Sequence, residues 1–190
     1  MSTHIPTVAS ATSRRRPLLS RLVPVAVALA LVVPSVISPI SASASTSAMT
    51  ATEKSWSYAV FSMMNSERKA HGVAALTQRV TLMTSARRHD LTMARYNKMS
   101  HQLPGELSFD RRIEAAGYTP WTYLGENIGW NSDVSCNGVK ALESVMYNEK
   151  APNDGHRLNI LNRHYANVGI DVYIDSVHHK VWLTEDFGHH

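Results

Sequence analysis

Val168-Gly169-Ile170-Asp171-Val172-Tyr173-Ile174, followed by Val181-Trp182-Leu183-Thr184, decides the fold class. Apolar residues alternate along both runs, which is the period of a half-buried strand. Ser176 to His179 separates them, so the two runs read as an antiparallel hairpin. Upstream the period changes to that of helices. Tyr58, Phe61, Met64 and Arg68 fall on one face of a helix over Trp56 to Ala70, with Gly72 to end it. Leu82, Ala86, His89 and Met93 recur at helical spacing within a second, longer helix predicted from Thr77 to about Met99. Ser108 to Ile113 predicts a short third helix stopped by Gly117. Val134 to Asn148 predicts another, ended before Pro152, and Gly155 to Leu161 a further turn or two with Asn153 or Asp154 as N-cap. Thr119 to Asn131, aromatic and containing glycine, reads as loop or short strand. Helices first and strands last make the class α+β, one domain with helices packed on a small sheet. No internal repeat interrupts that reading.

The first fifty residues carry a different message. Arg14, Arg15, Arg16 and Arg21 precede an apolar run from Leu22 to Ile37, and Ser41-Ala42-Ser43-Ala44-Ser45 follows. Basic, apolar and small-residue segments in that order define a secretory signal peptide, residues 1–44, with cleavage after Ala44 and Ala48 as the second choice. The apolar run falls short of the roughly twenty residues a membrane span needs. It also carries Pro24 and Pro34, so no transmembrane anchor is expected after cleavage. The three arginines loosely resemble a twin-arginine signal, but Pro17 fits that poorly, and the general secretory route is favoured. Residues 45–55 read as a flexible lead-in.

Cleavage changes the charge. The chain has 19 Lys and Arg against 15 Asp and Glu, a formal +4. All four basic residues before Ser45 are arginines and no acid lies there, which leaves fifteen of each sign in the mature part. The basic balance of the whole chain is therefore no evidence for binding nucleic acid or an anionic membrane, no nucleic-acid partner is expected, and neutrality predicts only that bulk electrostatics do not choose a partner. The one cysteine, Cys136, cannot form an internal disulfide and reads as a semi-buried structural thiol.

Four patches carry titratable groups beside turns or element ends: Ser100-His101, Gly125-Glu126-Asn127-Ile128, Met146-Tyr147-Asn148-Glu149 and Gly155-His156-Arg157-Leu158-Asn159-Ile160-Leu161. Imidazole nitrogen and carboxylate oxygen both suit a divalent metal. Yet no H-E-x-x-H pair or cysteine cluster forces convergence, so a polar network that pins loops together stays open. His89 reads as a satisfied core histidine on an apolar face. Asn127 is expected to hold the Glu126 turn through its amide and Asn159 to tie its own turn. Arg157 is read either as an anion ligand or as a partner of a helix carbonyl. Trp121, Tyr123 and Trp130 flank Glu126 as cleft wall or as packing.

Met64-Asn65-x-x-Arg68-x-x-x-Gly72, Leu82-x-x-x-Ala86, Ser100-His101, Arg112-Ile113-x-x-Ala116-Gly117-Tyr118, Gly125-Glu126-Asn127-Ile128, Gly155-His156-Arg157-x-Asn159-Ile160-Leu161, Val168-Gly169-Ile170 and Asp186-Phe187-Gly188 stand in one order. As a set they resemble a bacterial CAP domain, from the superfamily of cysteine-rich secretory proteins, antigen 5 and pathogenesis-related proteins. The resemblance runs from about Trp56 to Gly188, the 56–188 domain.

The resemblance implies an α-β-α sandwich and a cleft tetrad of His101, Glu126, Glu149 and His156, with Asn127, Arg157 and Asn159 in support. Glu149 is carried over from the position after an aromatic-rich helix end, where Met146 replaces the tryptophan many members carry. The disulfides of eukaryotic members are absent. The implied function is a secreted binding protein holding a divalent metal such as zinc at His101 and His156, with a small or lipid-like ligand. A metal-dependent, peptidase-like hydrolase using Glu126 or Glu149 as base is one alternative, and a structural cell-envelope domain the other.

Overall fold

The computed structural model describes the backbone of residues 9–12 and residues 47–190. The expected cleavage site and the rest of the leader lie outside the described residues. A five-stranded sheet runs in the order β1-β3-β5-β4-β2, with β1 over Ala9–Thr12, β2 over Thr77–Gln78, β3 over Tyr123–Asn131, β4 over Asn167–Asp175 and β5 over Lys180–His189. β4 and β5 form the expected hairpin, β3 pairs antiparallel with the other side of β5, and β2 lies parallel to β4. Ala9–Thr12 pairs antiparallel with Tyr123–Glu126 on the outer side of β3.

Helices cover both faces, which makes the α-β-α sandwich. Val168, Ile170 and Val172 of β4 meet Val181, Leu183 and Phe187 of β5 under α1 (Ala51–Ala70) and α4 (Cys136–Tyr147). On the other face α2 (Val80–Tyr96) and α3 (Phe109–Ala115) cover Leu124 and Ile128 of β3 and Trp182 of β5. α5 (Gly155–Ile160) closes the first face beside β3. α2 lies so close to the sheet that a Cβ at Gly169 would collide with the Leu82–Met83 backbone.

The departures from sequence expectation have local causes. α1 starts at Ala51, inside the expected lead-in, because Thr50 and Glu53 form a reciprocal capping box. Thr77 and Arg79 donate backbone N–H to Ala166 and Val168, so this stretch joins the sheet and α2 starts only at Val80. Asn97 ends that helix in the left-handed conformation (φ 46°). Thr119–Asn131 contains a nine-residue strand, since β3 pairs along its whole length with β5. Gly125 and Gly129 belong there because Tyr165 and Met146 occupy the space a side chain would need. β5 runs on through Glu185 and Asp186, whose acidity hid the strand period.

Formal neutrality does not describe the surface. Of the fifteen Asp and Glu, nine are buried, six half-buried and none exposed, whereas ten of the fifteen Lys and Arg after Ser45 are exposed.

Candidate functional site

β3 delivers Glu126 and Asn127 to opposite faces of the sheet, as strand alternation requires. Glu126 lies on the α2–α3 face, fully buried. Its Oε1 is 2.8 Å from His101 Nδ1, and its Oε2 accepts from the Arg112 guanidinium of α3. Burial alone would raise its pKa. The nearby His89 imidazole, the His101 hydrogen bond and the Arg112 charge overcome that and hold it at about 2. Arg112 also donates to the backbone carbonyl of His101 at 2.9 Å, so one guanidinium fixes both members of the pair.

The second pair forms where α4 runs out. Glu149 Oε1 is 2.6 Å from His156 Nδ1, and its Oε2 accepts the backbone N–H of His156 at 2.9 Å and of Arg157 at 3.4 Å. A carboxylate thereby caps the start of α5 while it orients the imidazole. His156 Nε2 is buried and has no hydrogen-bond partner among the described residues. Burial lowers the His156 pKa against the pull of Glu149, and the neighbouring His101 charge lowers it further.

Asn127 and Asn159 join the pairs. Asn127 Nδ2 donates to the His156 carbonyl at 3.3 Å and to Glu185 Oε2 at 3.0 Å. Asn159 Nδ2 donates to Asn127 Oδ1 at 3.0 Å and to the Glu126 carbonyl at 3.4 Å. Asn127 thus sits within a strand and bridges to α5, rather than holding a turn. Arg157 donates to the Tyr147 carbonyl at 2.5 Å and lies 4.8 Å over the Tyr147 ring, which is the helix-carbonyl alternative.

Behind the pairs the sheet buries more acid than the sequence suggested. Asp186 stands directly across from Glu126, and Glu185 across from Asn127. Burial and the Glu126 charge push Asp186 well above the usual carboxylate range. Burial raises Glu185 to about 7 and pushes Glu143 well above the usual carboxylate range, with Glu67 raised at the outer end. Three carboxyls in a row cannot all ionise, so protons are shared along Glu67, Glu143 and Glu185. Burial likewise raises Asp90 well above the usual range and Asp171 to about 6, beside Arg87, which bonds Glu53 and Asp171 at 3.3 Å.

These shifts have a sign. A carboxyl whose folded pKa is raised stabilises the fold below its unfolded value and loses that contribution as pH rises through the folded value. Stability is therefore expected to fall between about pH 5 and pH 8, as Asp171 and Glu185 ionise. Glu126, held low, acts oppositely and only below its unfolded value. Glu143→Gln removes the central shared proton, and should raise the melting temperature at about pH 8 by roughly 3–6 °C and flatten its decline from pH 5. Thermal scans across that range test this, and a melting temperature that climbs with pH would contradict it.

The structure pairs all four expected residues, His101 with Glu126 and Glu149 with His156. Sequence reasoning missed Arg112, Glu185 and Asp186 as site residues, although Arg112 and Asp186 stood inside quoted motifs. His89 is buried as expected but only half satisfied: Nδ1 is 2.8 Å from Glu106, while the buried Nε2 has no hydrogen-bond partner among the described residues. The aromatic residues do not form one wall. Trp121 packs with Leu82 and Ile113, Trp130 with Trp182, and Tyr123 with the α1–α4 core. Among the described residues no group of three His, Cys, Asp or Glu is arranged to hold a metal ion. With Nδ1 of both histidines facing carboxylates, the donors that fit a metal are the two Nε2 atoms, and the buried, unpartnered Nε2 of His156 is the observation in favour.

The sequence profile of the cysteine-rich secretory protein family, CAP, matches residues 61–187. Solved structures share the fold. An extracellular protein containing an SCP domain from Bacillus anthracis is 23% identical with a TM-score of 0.61, over 76% of this chain and 45% of that one. An outer surface protein from Borrelia burgdorferi is 17% identical with a TM-score of 0.60, over 72% of this chain and 93% of that one. A cysteine-rich secretory protein from Staphylococcus aureus is 19% identical with a TM-score of 0.55, over 75% of this chain and 41% of that one. This chain spans less than half of the first and third. No curated protein matches by sequence.

Proposed function

The chain belongs to the cysteine-rich secretory protein (CAP) family, and from that premise we propose that it is a secreted binding protein whose cleft holds a divalent metal, such as zinc, between His101 and His156. The observation that carries this reading is the matched orientation of the two imidazoles. Each has Nδ1 against a carboxylate, Glu126 at 2.8 Å and Glu149 at 2.6 Å. That arrangement selects Nε2 as the ligating atom and strengthens it as a donor. A metal there would be a Lewis acid with positions left for an oxygen-bearing small or lipid-like ligand. Extracellular placement is supported by the leader-like N-terminus and by structural relatives described as extracellular and outer-surface proteins.

Binding is favoured over hydrolysis by what the carboxylates already do. Glu126 is ionised at about 2 and engaged by Arg112, which makes it a weak base. Both Glu149 oxygens are occupied by His156 and Arg157. In zinc titration calorimetry near neutral pH we expect one-to-one binding that disappears in the His101→Ala, His156→Ala double variant. The variant retains His178, His179, His189 and His190, so adventitious binding survives in it and is subtracted. Unchanged binding in a folded double variant would leave the tetrad as a loop-pinning polar network.

A further inference from the structure

The segregation of charge points to a partner. No acidic side chain is exposed, and the acids of α1 and α2 all turn inward: Glu53, Glu67 and Asp90 are buried. Asp90 bonds Thr184 at 2.5 Å, and Glu53 takes Arg87 and the backbone of Ile174. The outer side of α2 is left basic. Arg88 and Arg95 are exposed and seven residues apart, two turns on one face and about 10 Å along the axis. Lys98 follows just past the left-handed Asn97, and Lys180 Nζ bonds Asn97 Oδ1 at 2.6 Å, which adds a fourth cation at the same end. Among the described residues no carboxylate pairs with Arg88, Arg95 or Lys98. Three residues beyond Lys98 stands His101.

We propose that the Arg88–Arg95–Lys98 stripe is a docking track for a linear polyanion with a phosphodiester backbone, a polyol-phosphate polymer of the cell envelope, which it leads towards the His101 side of the cleft. The choice of envelope polymer rests on the extracellular placement proposed above; the charge argument does not. Unopposed cations in a row attract a repeating anion by counterion release, whatever its fine structure. A membrane surface is the poorer match, because the half-buried Leu91 and Thr92 between the arginines offer no protruding apolar anchor. Single-stranded nucleic acid is poorer too. It needs a series of stacking rings, and the track offers Tyr96 alone, while Lys180 lies 4.2 Å over the Trp130 ring.

The test titrates the protein with purified poly(glycerol phosphate) at low salt in the presence of a chelator, so that failure of the metal reading leaves the result interpretable. Arms with single-stranded DNA of matched charge and with phosphatidylglycerol vesicles identify the source. Arg88→Gln, Arg95→Gln, Lys98→Gln is compared with Lys69→Gln, Lys140→Gln, Lys150→Gln, an equal charge change on exposed sites elsewhere, both checked for unaltered melting. Saturable polymer binding is expected. It should weaken about tenfold in the stripe variant and less than about twofold in the other, and fall about tenfold when salt is raised fourfold. Equal losses in the two variants, tighter binding to DNA or vesicles than to the polymer, or no polymer binding would each overturn the proposal.

Discussion

Glu126→Ala is expected to lower the free energy of unfolding by about 3 kcal/mol, although it removes one acid from a sheet crowded with acids. The Arg112 guanidinium is only 5% exposed and would keep Glu106 alone, whose Oε1 lies 3.5 Å from Nε. His101 would lose the bond that fixes Nδ1. Asp186, across the strand, sets the upper limit. Freed from Glu126, it can ionise and take part of the Arg112 charge. Chemical denaturation near neutral pH measures the effect. A loss under about 1 kcal/mol would mean that Asp186 or Glu106 has replaced Glu126 as the partner. Glu126→Gln should recover part of the loss, since an amide still accepts from Arg112 but carries no charge.

Arg68→Met is expected to cost as much or more, about 3–5 kcal/mol. Arg68 is wholly buried and forms no ion pair with an acid among the described residues, and burial lowers its pKa to about 10. Its guanidinium spends its donors on four carbonyls: Ala74 at 2.8 Å, Ile160 at 2.7 Å, Asn162 at 3.0 Å and Tyr165 at 3.3 Å. Methionine fills the volume and removes the donor from all four carbonyls, of which those of Ile160 and Tyr165 are buried. Lysine cannot rescue it fully, because a point ammonium does not span the fork. The segment from Ile160 to Tyr165 follows directly on α5, so His156 should loosen with it. Hydrogen exchange is expected to speed up at residues 156–165 before the rest of the sheet, and a uniform change would argue against this coupling.

The fold was legible where one physical rule acted alone. Helical spacing in Leu82, Ala86, His89 and Met93 records one buried face, since all four are buried, whereas Tyr58 in the face expected for α1 is 64% exposed and β4 is buried on both sides. Legibility failed where tertiary context overrode composition. Glu185 and Asp186 break the apolar period of β5, yet both are buried, one made tolerable by shared protons and Asn127, the other by the nearby Arg112 charge against that of Glu126. Gly125 and Gly129 suggested a loop, whereas they exist to admit Tyr165 and Met146. The four tetrad residues were found by family resemblance, because residues 101, 126, 149 and 156 carry no local spacing that announces their pairing. Arg112 was hidden for the opposite reason. Basic residues at helix positions usually belong to a solvated face, and only the fold shows that this one turns inward. The charge count misled because it does not register which sign is buried.

The position of β5 has a temporal consequence. It is the central strand, held between β3 and β4, yet it is the last of the five to be synthesised. A nascent chain that has reached Asp175 owns β3 and β4 but nothing to join them, so neither core can close. Folding must wait until Phe187 has emerged, and no shorter N-terminal piece can capture itself in a native-like sheet. Under the secretion proposed above, that delay would keep the chain extended while it is threaded through a membrane, until the final strand arrives on the far side.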